Sequence, residues 1–353
     1  MKQLSNHLKL IIIKTFLSAF VFTLLPVSAE EVNVYSHRHY ESDDKLFKEF
    51  TKNTGIKVNI VKASADALIE RIKAEGKQSP ADILITADAG RLVRAQDAGL
   101  LQTASSPSLN KQVPKHMRDK DGHWYGFTVR SRVLIYSKER INPSRLSTYE
   151  DLADPKWKGK LLARSSSNIY NQSLLASIIA NNGKQSAMKW AAAVRKNMAR
   201  PPEGSDRDQM RAVASGIGDV AIANTYYVGL LVNSSNPKDQ EVAKKVGVFF
   251  PNQKGRGAHI NISGGGIVKW SKNKANAVKL LEFLTGPEAQ EQFPNATYEF
   301  PLEINSTNSE LLQSWGKFKA DPLSLSELGK LNSEAVKILS LIHISEPTRP
   351  ERS

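Results

Sequence analysis

Beyond residue 30 the chain alternates short apolar runs with amphipathic stretches. Residues 32–36 predict a strand, and residues 56–61, which alternate apolar and polar, predict another. Between them Ser42-Asp43-Asp44 reads as a helix start, Leu46, Phe47 and Phe50 form its apolar stripe, and Asn53-Thr54-Gly55 ends it. A second helix carries Leu68, Ile69 and Ile72 on one face. Residues 82–86 are almost continuously apolar, as a buried parallel strand is, and residues 90–98 read as a helix. Further on, the pattern predicts a long strand over 127–137, helices over 173–181, 185–196 and 207–215, and strands over 219–223, 246–250 and 260–268. The helix over 275–284 has Val278, Leu281 and Leu284 in phase. Strand–helix alternation of this kind argues for an α/β fold. It forms two blocks with long strands as crossovers, which makes the cleft between them the default ligand site. No fixed-period repeat interrupts the pattern.

Both ends stand outside it. Lys2, Lys9 and Lys14 precede an apolar stretch over 15–25, then Pro26 and Val27-Ser28-Ala29, the layout of a secretory signal cleaved after Ala29. The apolar run is short for a membrane-spanning helix. From Leu341 the chain reads LIHISEPTRPERS, which resembles translated sequencing-adapter DNA; residues 341–353 are set aside as an artefactual or disordered tail, and His343 is given no role.

Composition narrows the chemistry. The 353 residues suggest two domains. The absence of Cys excludes disulfides, thiolate metal sites, a cysteine nucleophile and a lipid-anchored N-terminal cysteine. The net charge of +14 falls by three, to +11, once the signal is removed. The Lys and Arg residues are scattered rather than clustered, which together with export speaks against a nucleic-acid partner. P-loop, G-x-S-x-G and H-E-x-x-H patterns are absent. Gly264-Gly265-Gly266 lies inside an apolar strand and reads as close backbone packing. His116 and His123 lie in a polar stretch that reads as a solvated loop.

The phenols are more informative. Tyr226-Tyr227 follows a buried-looking strand, where α/β ligand sites occur. Strand neighbours face opposite ways, so a loop is needed to converge the pair. Tyr170 lies in SSSNIYNQS, a polar turn opening a helix, and Tyr40 follows a strand after His37-Arg38-His39. Any one of these phenols taken alone reads as a packing residue with a bonded hydroxyl.

Together, YSxRHY over 35–40, RSSSNIYNQS over 164–173, NTYY over 224–227, NISG over 261–264 and GPEA over 286–289 resemble the ferric-iron substrate-binding proteins of bacterial ABC importers, in particular the cyanobacterial-type group. The resemblance runs over residues 31–340. It implies a type II periplasmic-binding-protein fold of two lobes, each a mixed sheet flanked by helices, with the ligand in the interlobe cleft. It also implies that Tyr40, Tyr170, Tyr226 and Tyr227 ligate Fe(III), with His39 as a fifth ligand. An inner-membrane ABC permease and its ATPase would be the partners, and a monomer is expected because the lobes must move. The expected lobes are 30–112 with 119–132 and 257–307, and 113–118 with 133–256 and 308–340.

The chemistry agrees with that expectation. Fe(III) is a hard cation and prefers anionic oxygen. A phenol has a pKa near 10, so the metal must displace its proton. Arg38, Arg130 and Arg164 are candidates for balancing phenolate charge or for holding a small anion such as carbonate. Ordinary ion pairing is the alternative for each. On the same fold, the rival function is binding of a small organic or anionic ligand. An exported enzyme is the other rival, but no nucleophile–base set is visible.

Overall fold

The computed structural model describes residues 30–38 and 40–344. The expected signal segment, His39 and residues 345–353 lie outside the described residues. Among the described residues nine strands occur: β1 (Glu31–Ser36), β2 (Lys57–Lys62), β3 (Ile83–Ala87), β4 (Leu101–Gln102), β5 (Tyr125–Ser137), β6 (Leu161–Ala163), β7 (Val220–Asn224), β8 (Val246–Phe249) and β9 (Ile260–Val268). Their order is β2-β1-β3-β9-β5-β7-β6, with β4 added to β9 and β8 to β5. The first half pairs β1 in parallel with β2 and β3, and β9 in antiparallel with β3 and β5. In the second half β7 is antiparallel to β5 and parallel to β6.

Strand β5 belongs to both halves. Tyr125 through Ser131 pair with β9, and from Arg132 onward the strand pairs with β7 and then β8. The change of partner is tied by side chains. Ser131 Oγ donates to the His259 carbonyl at 3.1 Å, Arg132 N donates to the same carbonyl at 3.0 Å, and His259 N donates to Tyr149 Oη at 3.1 Å. Burial, with Arg132 and Arg256 nearby, pushes the His259 imidazole down to about 3. The ring therefore stays neutral in this knot.

Helices cover the sheets: α1 (Glu41–Thr54), α2 (Ala65–Glu75), α3 (Ala89–Asp97), α4 (Pro107–Gln112), α5 (Ile169–Asn182), α6 (Lys184–Asn197), α7 (Asp206–Ala214) and α8 (Tyr226–Val232) lead a longer series. The expected stripe of α1 is buried at Leu46, Phe47 and Phe50, and that of α2 at Leu68, Ile69 and Ile72. The triple glycine packs closely, as expected. A Cβ on Gly264 would lie 2.5 Å from the Tyr125 carbonyl oxygen, and one on Gly266 would lie 2.3 Å from that of His123. No helix among the described residues is long and apolar enough to cross a membrane.

Three departures matter. Helix α5 starts at Ile169 rather than Ser173, because Asn168 caps it by accepting from Tyr170 N at 2.9 Å. Tyr226 and Tyr227 open α8 instead of lying in a loop. The last helix runs from Asn332 to Ile344, past the point where the tail was set aside. Leu341 through Ile344 contain no Gly or Pro, so nothing in them ends the helix.

Candidate metal centre

Arg130 and Arg132 are among the largest fully buried side chains in the molecule. A buried guanidinium must be paired, and the pairing organises this site. Arg132 donates to Asp206 and Asn171, each at 2.6 Å. Arg130 donates to Ser263 Oγ at 2.8 Å, and its Nε lies 3.9 Å from Glu299 Oε1 with no hydrogen-bond partner. Arg38 is bidentate on Asp43 at 2.8 and 3.0 Å and reaches Glu299 at 3.1 Å. Asp206 and Glu299 are fully buried.

Onto this frame three chain segments deliver phenols. Tyr40 stands at the N-cap of α1 in extended conformation, and its hydroxyl donates to Glu299 Oε1 at 3.3 Å. The Arg38 guanidinium lies 4.9 Å from its ring centre. Tyr170 occupies the first turn of α5, with Arg164, Arg130 and Arg132 at 5.4, 5.8 and 5.9 Å from its ring centre. Asn171 Nδ2 ties that turn to the Arg164 carbonyl at 2.8 Å. Tyr226 and Tyr227 form the first turn of α8, with ring centres 4.2 Å apart. Thr225 N, just before them, donates to the Ser131 carbonyl at 3.0 Å and fixes the helix start to β5. Tyr226 Oη donates to Tyr170 Oη at 3.4 Å. In a helix neighbouring residues are about 100° apart, so one turn can aim both phenols at one region where a strand could not.

The electrostatics hold Tyr40, Tyr226 and Tyr227 neutral. Burial pushes Tyr40 well above the usual phenol range, Glu299 adds to this, and Arg38 and Arg130 counter it in part. Burial likewise raises Tyr226 well above that range, helped by Tyr170, Tyr227 and Tyr40. Tyr227 is raised by burial, Tyr170 and Asp206. Burial works against the charge on Arg38, Arg130 and Arg164, but their anionic and phenolic neighbours outweigh it, and all three are held more basic than usual. Glu299 is driven upward by burial, yet Arg130 and Arg38 prevail and lower it.

The structure therefore brings together Tyr40, Tyr170, Tyr226, Tyr227, Arg38, Arg130 and Arg164; His39 lies outside the described residues. His123 is engaged by Asp119 at 2.8 Å. Sequence reasoning missed Glu299, Arg132 and Asp206. Glu299 had one visible signal, an acid set between Tyr298 and Phe300. Among the described residues no group of three or more His, Asp or Glu side chains is placed to hold a metal. The donors that converge here are phenolic oxygens, suited to a hard cation once deprotonated.

The family model for bacterial extracellular solute-binding proteins matches residues 78–320, and the chain belongs to that family. Iron uptake protein A1 of Synechocystis sp. is 48% identical over 315 residues, spanning 89% of this chain and 88% of the relative. The structure of a Trichodesmium protein, IdiA or FutA, in complex with iron and citrate ligands matches at a TM-score of 0.86 and 52% identity, covering 88% of this chain and 99% of that one. Apo FutA2 from Synechocystis PCC6803 matches at 0.84 and 47%, covering 89% and 99%. The fold is the expected two-lobed type II arrangement.

Proposed function

We propose that this solute-binding protein takes up ferric iron as cargo between its lobes and delivers it to an inner-membrane ABC permease with its ATPase. The observation that carries the reading is the convergence of four phenols from three segments, with Tyr226 and Tyr170 hydroxyls 3.4 Å apart over a bed of buried arginines. Tyr40, Tyr170, Tyr226 and Tyr227 are the ligands, and His39 is the fifth. Four phenolates leave a trivalent ion with one net negative charge. Arg38, Arg130 and Arg164 offset that charge or hold a small anion such as carbonate. The names of the relatives, iron uptake protein A1 and a protein bound to iron and citrate, support the choice of cargo.

The lobes divide as 30–112, 119–132 and 257–307 against 113–118, 133–256 and 308–340, a division that the change of β5 partners after Ser131 supports. Tyr40 then belongs to one lobe and the other three phenols to the second, so the metal bridges the cleft and closure buries it. The protein acts in the periplasm as a monomer, cleaved after Ala29 and not lipid-anchored. One-electron reduction to Fe(II) by an external reductant weakens the phenolate bonds and offers a release route.

The test is a visible titration of the mature protein with ferric citrate, with and without dithionite. A phenolate-to-iron band saturating near one iron per chain and bleached by dithionite supports the site. No band, with tight binding of a colourless organic ligand, overturns it.

A further inference from the structure

Glu299 is a fully buried carboxylate in direct contact with a proposed ligand. Its surroundings leave it no freedom to turn away. Arg38 donates to it at 3.1 Å, Ser263 Oγ at 3.2 Å, and Thr128 Oγ1 also donates to it. The next residue, Phe300, is bridged to Val129 of β5 in both directions, at 2.7 and 2.8 Å. Arg38 is shared with Asp43. Arg130, the cation that opposes Glu299, makes no hydrogen bond to it and faces the rings of Tyr170 and Tyr226 from 5.8 and 5.9 Å.

We infer that Glu299 is a specificity-determining residue, whose fixed negative charge makes the site select trivalent over divalent metal ions. The inference rests on the phenolate reading above. A preference for oxygen alone does not separate a trivalent from a divalent hard ion, because Mn(II) and Mg(II) share it; the site's negative charge does, and Glu299 adds to that of the phenolates. A fixed anion beside the site does sort them, since its attraction for the ion scales with the ion's charge. Buried and unable to rotate, Glu299 is screened little by solvent. Glu299 also opposes the phenolate charge, but that cost is common to both ion classes, so removing its charge lowers the ratio of trivalent to divalent affinity.

The test compares Ga(III) with Zn(II), both redox-inert, in nitrilotriacetate buffers at pH 7. Binding is read from the phenolate difference absorbance, and the quantity is the ratio of the two association constants. In Glu299→Gln this ratio falls about tenfold or more, while in Glu299→Asp, which keeps the charge, it stays within about threefold. Should Glu299→Gln not fold, Arg130→Met is compared with the Glu299→Gln/Arg130→Met double variant, in which Asp43 still pairs Arg38. The ratio falls between those two by a similar factor. An equal change in both affinities, or none, overturns the selectivity role and leaves the phenolate site standing. If wild-type protein gives no phenolate band with Ga(III), the ligand reading itself fails and this inference falls with it.

Discussion

At the residue scale the site turns on protons. Tyr40, Tyr226 and Tyr227 are held above the ordinary phenol value of 10.0, so all three carry their protons from pH 5 to 8. Each must release a proton to bind as phenolate. Acidification therefore opposes binding, and three phenols give about a thousandfold loss of metal affinity per pH unit lowered, after correction for the chelator. Calorimetry in two buffers of different ionisation enthalpy checks this: at least about three protons leave per metal bound. Tyr227→Phe separates phenolate from ring. The tilted ring contact with Tyr226, centres 4.2 Å apart, is kept, and metal-free stability changes by about 1 kcal/mol or less. Ferric affinity falls by more than the roughly 10–100-fold typical of an outer-shell change. Unchanged affinity in a chelator competition would remove Tyr227 from the ligand set. The phenols were legible because they lie in distinctive local strings. Glu299 was not, since its partners Arg38 and Thr128 lie 261 and 171 residues away and only folding makes that contact.

At the element scale the site depends on where two short helices begin. The pattern of polar residues before Ser173 hides the start of α5, because the Asn168 cap that sets it is one polar residue among several. Helix α8 was missed for a different reason. Its seven residues follow a strand without a turn signal, and at that length periodicity does not separate helix from loop. Its seat is tight: a Cβ on Gly229 would lie 2.3 Å from the Tyr298 ring, next to Glu299. Gly229→Ala thus drives α8 away from Tyr298 and moves Tyr226, Tyr227 and the Glu299 backbone together. Unfolding free energy drops by ~1–3 kcal/mol, read from the urea midpoint, and metal affinity falls with it. A variant of normal stability with weakened metal binding would show that α8 tolerates the shift and that only the phenols' aim is lost.

At the scale of the whole molecule, β5 decides what the protein can do. The pattern over 127–137 shows one long strand, and its role as a strand shared by two halves emerges only from its partners, β9 up to Ser131 and β7 from Arg132. No residue in the strand marks that exchange, because both segments are buried on both faces. Tyr40 is reached from the β1 side, and Tyr226 and Tyr227 directly follow β7. On the proposed ligand set a metal held by both halves closes the cleft, and it favours the closed form over the open one by its differential affinity for the two. At a free metal concentration about a thousand times the dissociation constant, the folded protein gains about 4 kcal/mol against unfolding. Tyr40→Phe keeps the ring beneath Arg38 but removes the single proposed ligand of the first half among the described residues. In small-angle scattering the wild-type radius of gyration shrinks on adding ferric citrate, whereas in Tyr40→Phe it stays at the metal-free value even where the visible band shows iron held by the remaining phenols. Contraction of that variant to the wild-type radius would mean that closure follows from occupancy of the second half alone, and that the bridging role assigned to Tyr40 is wrong.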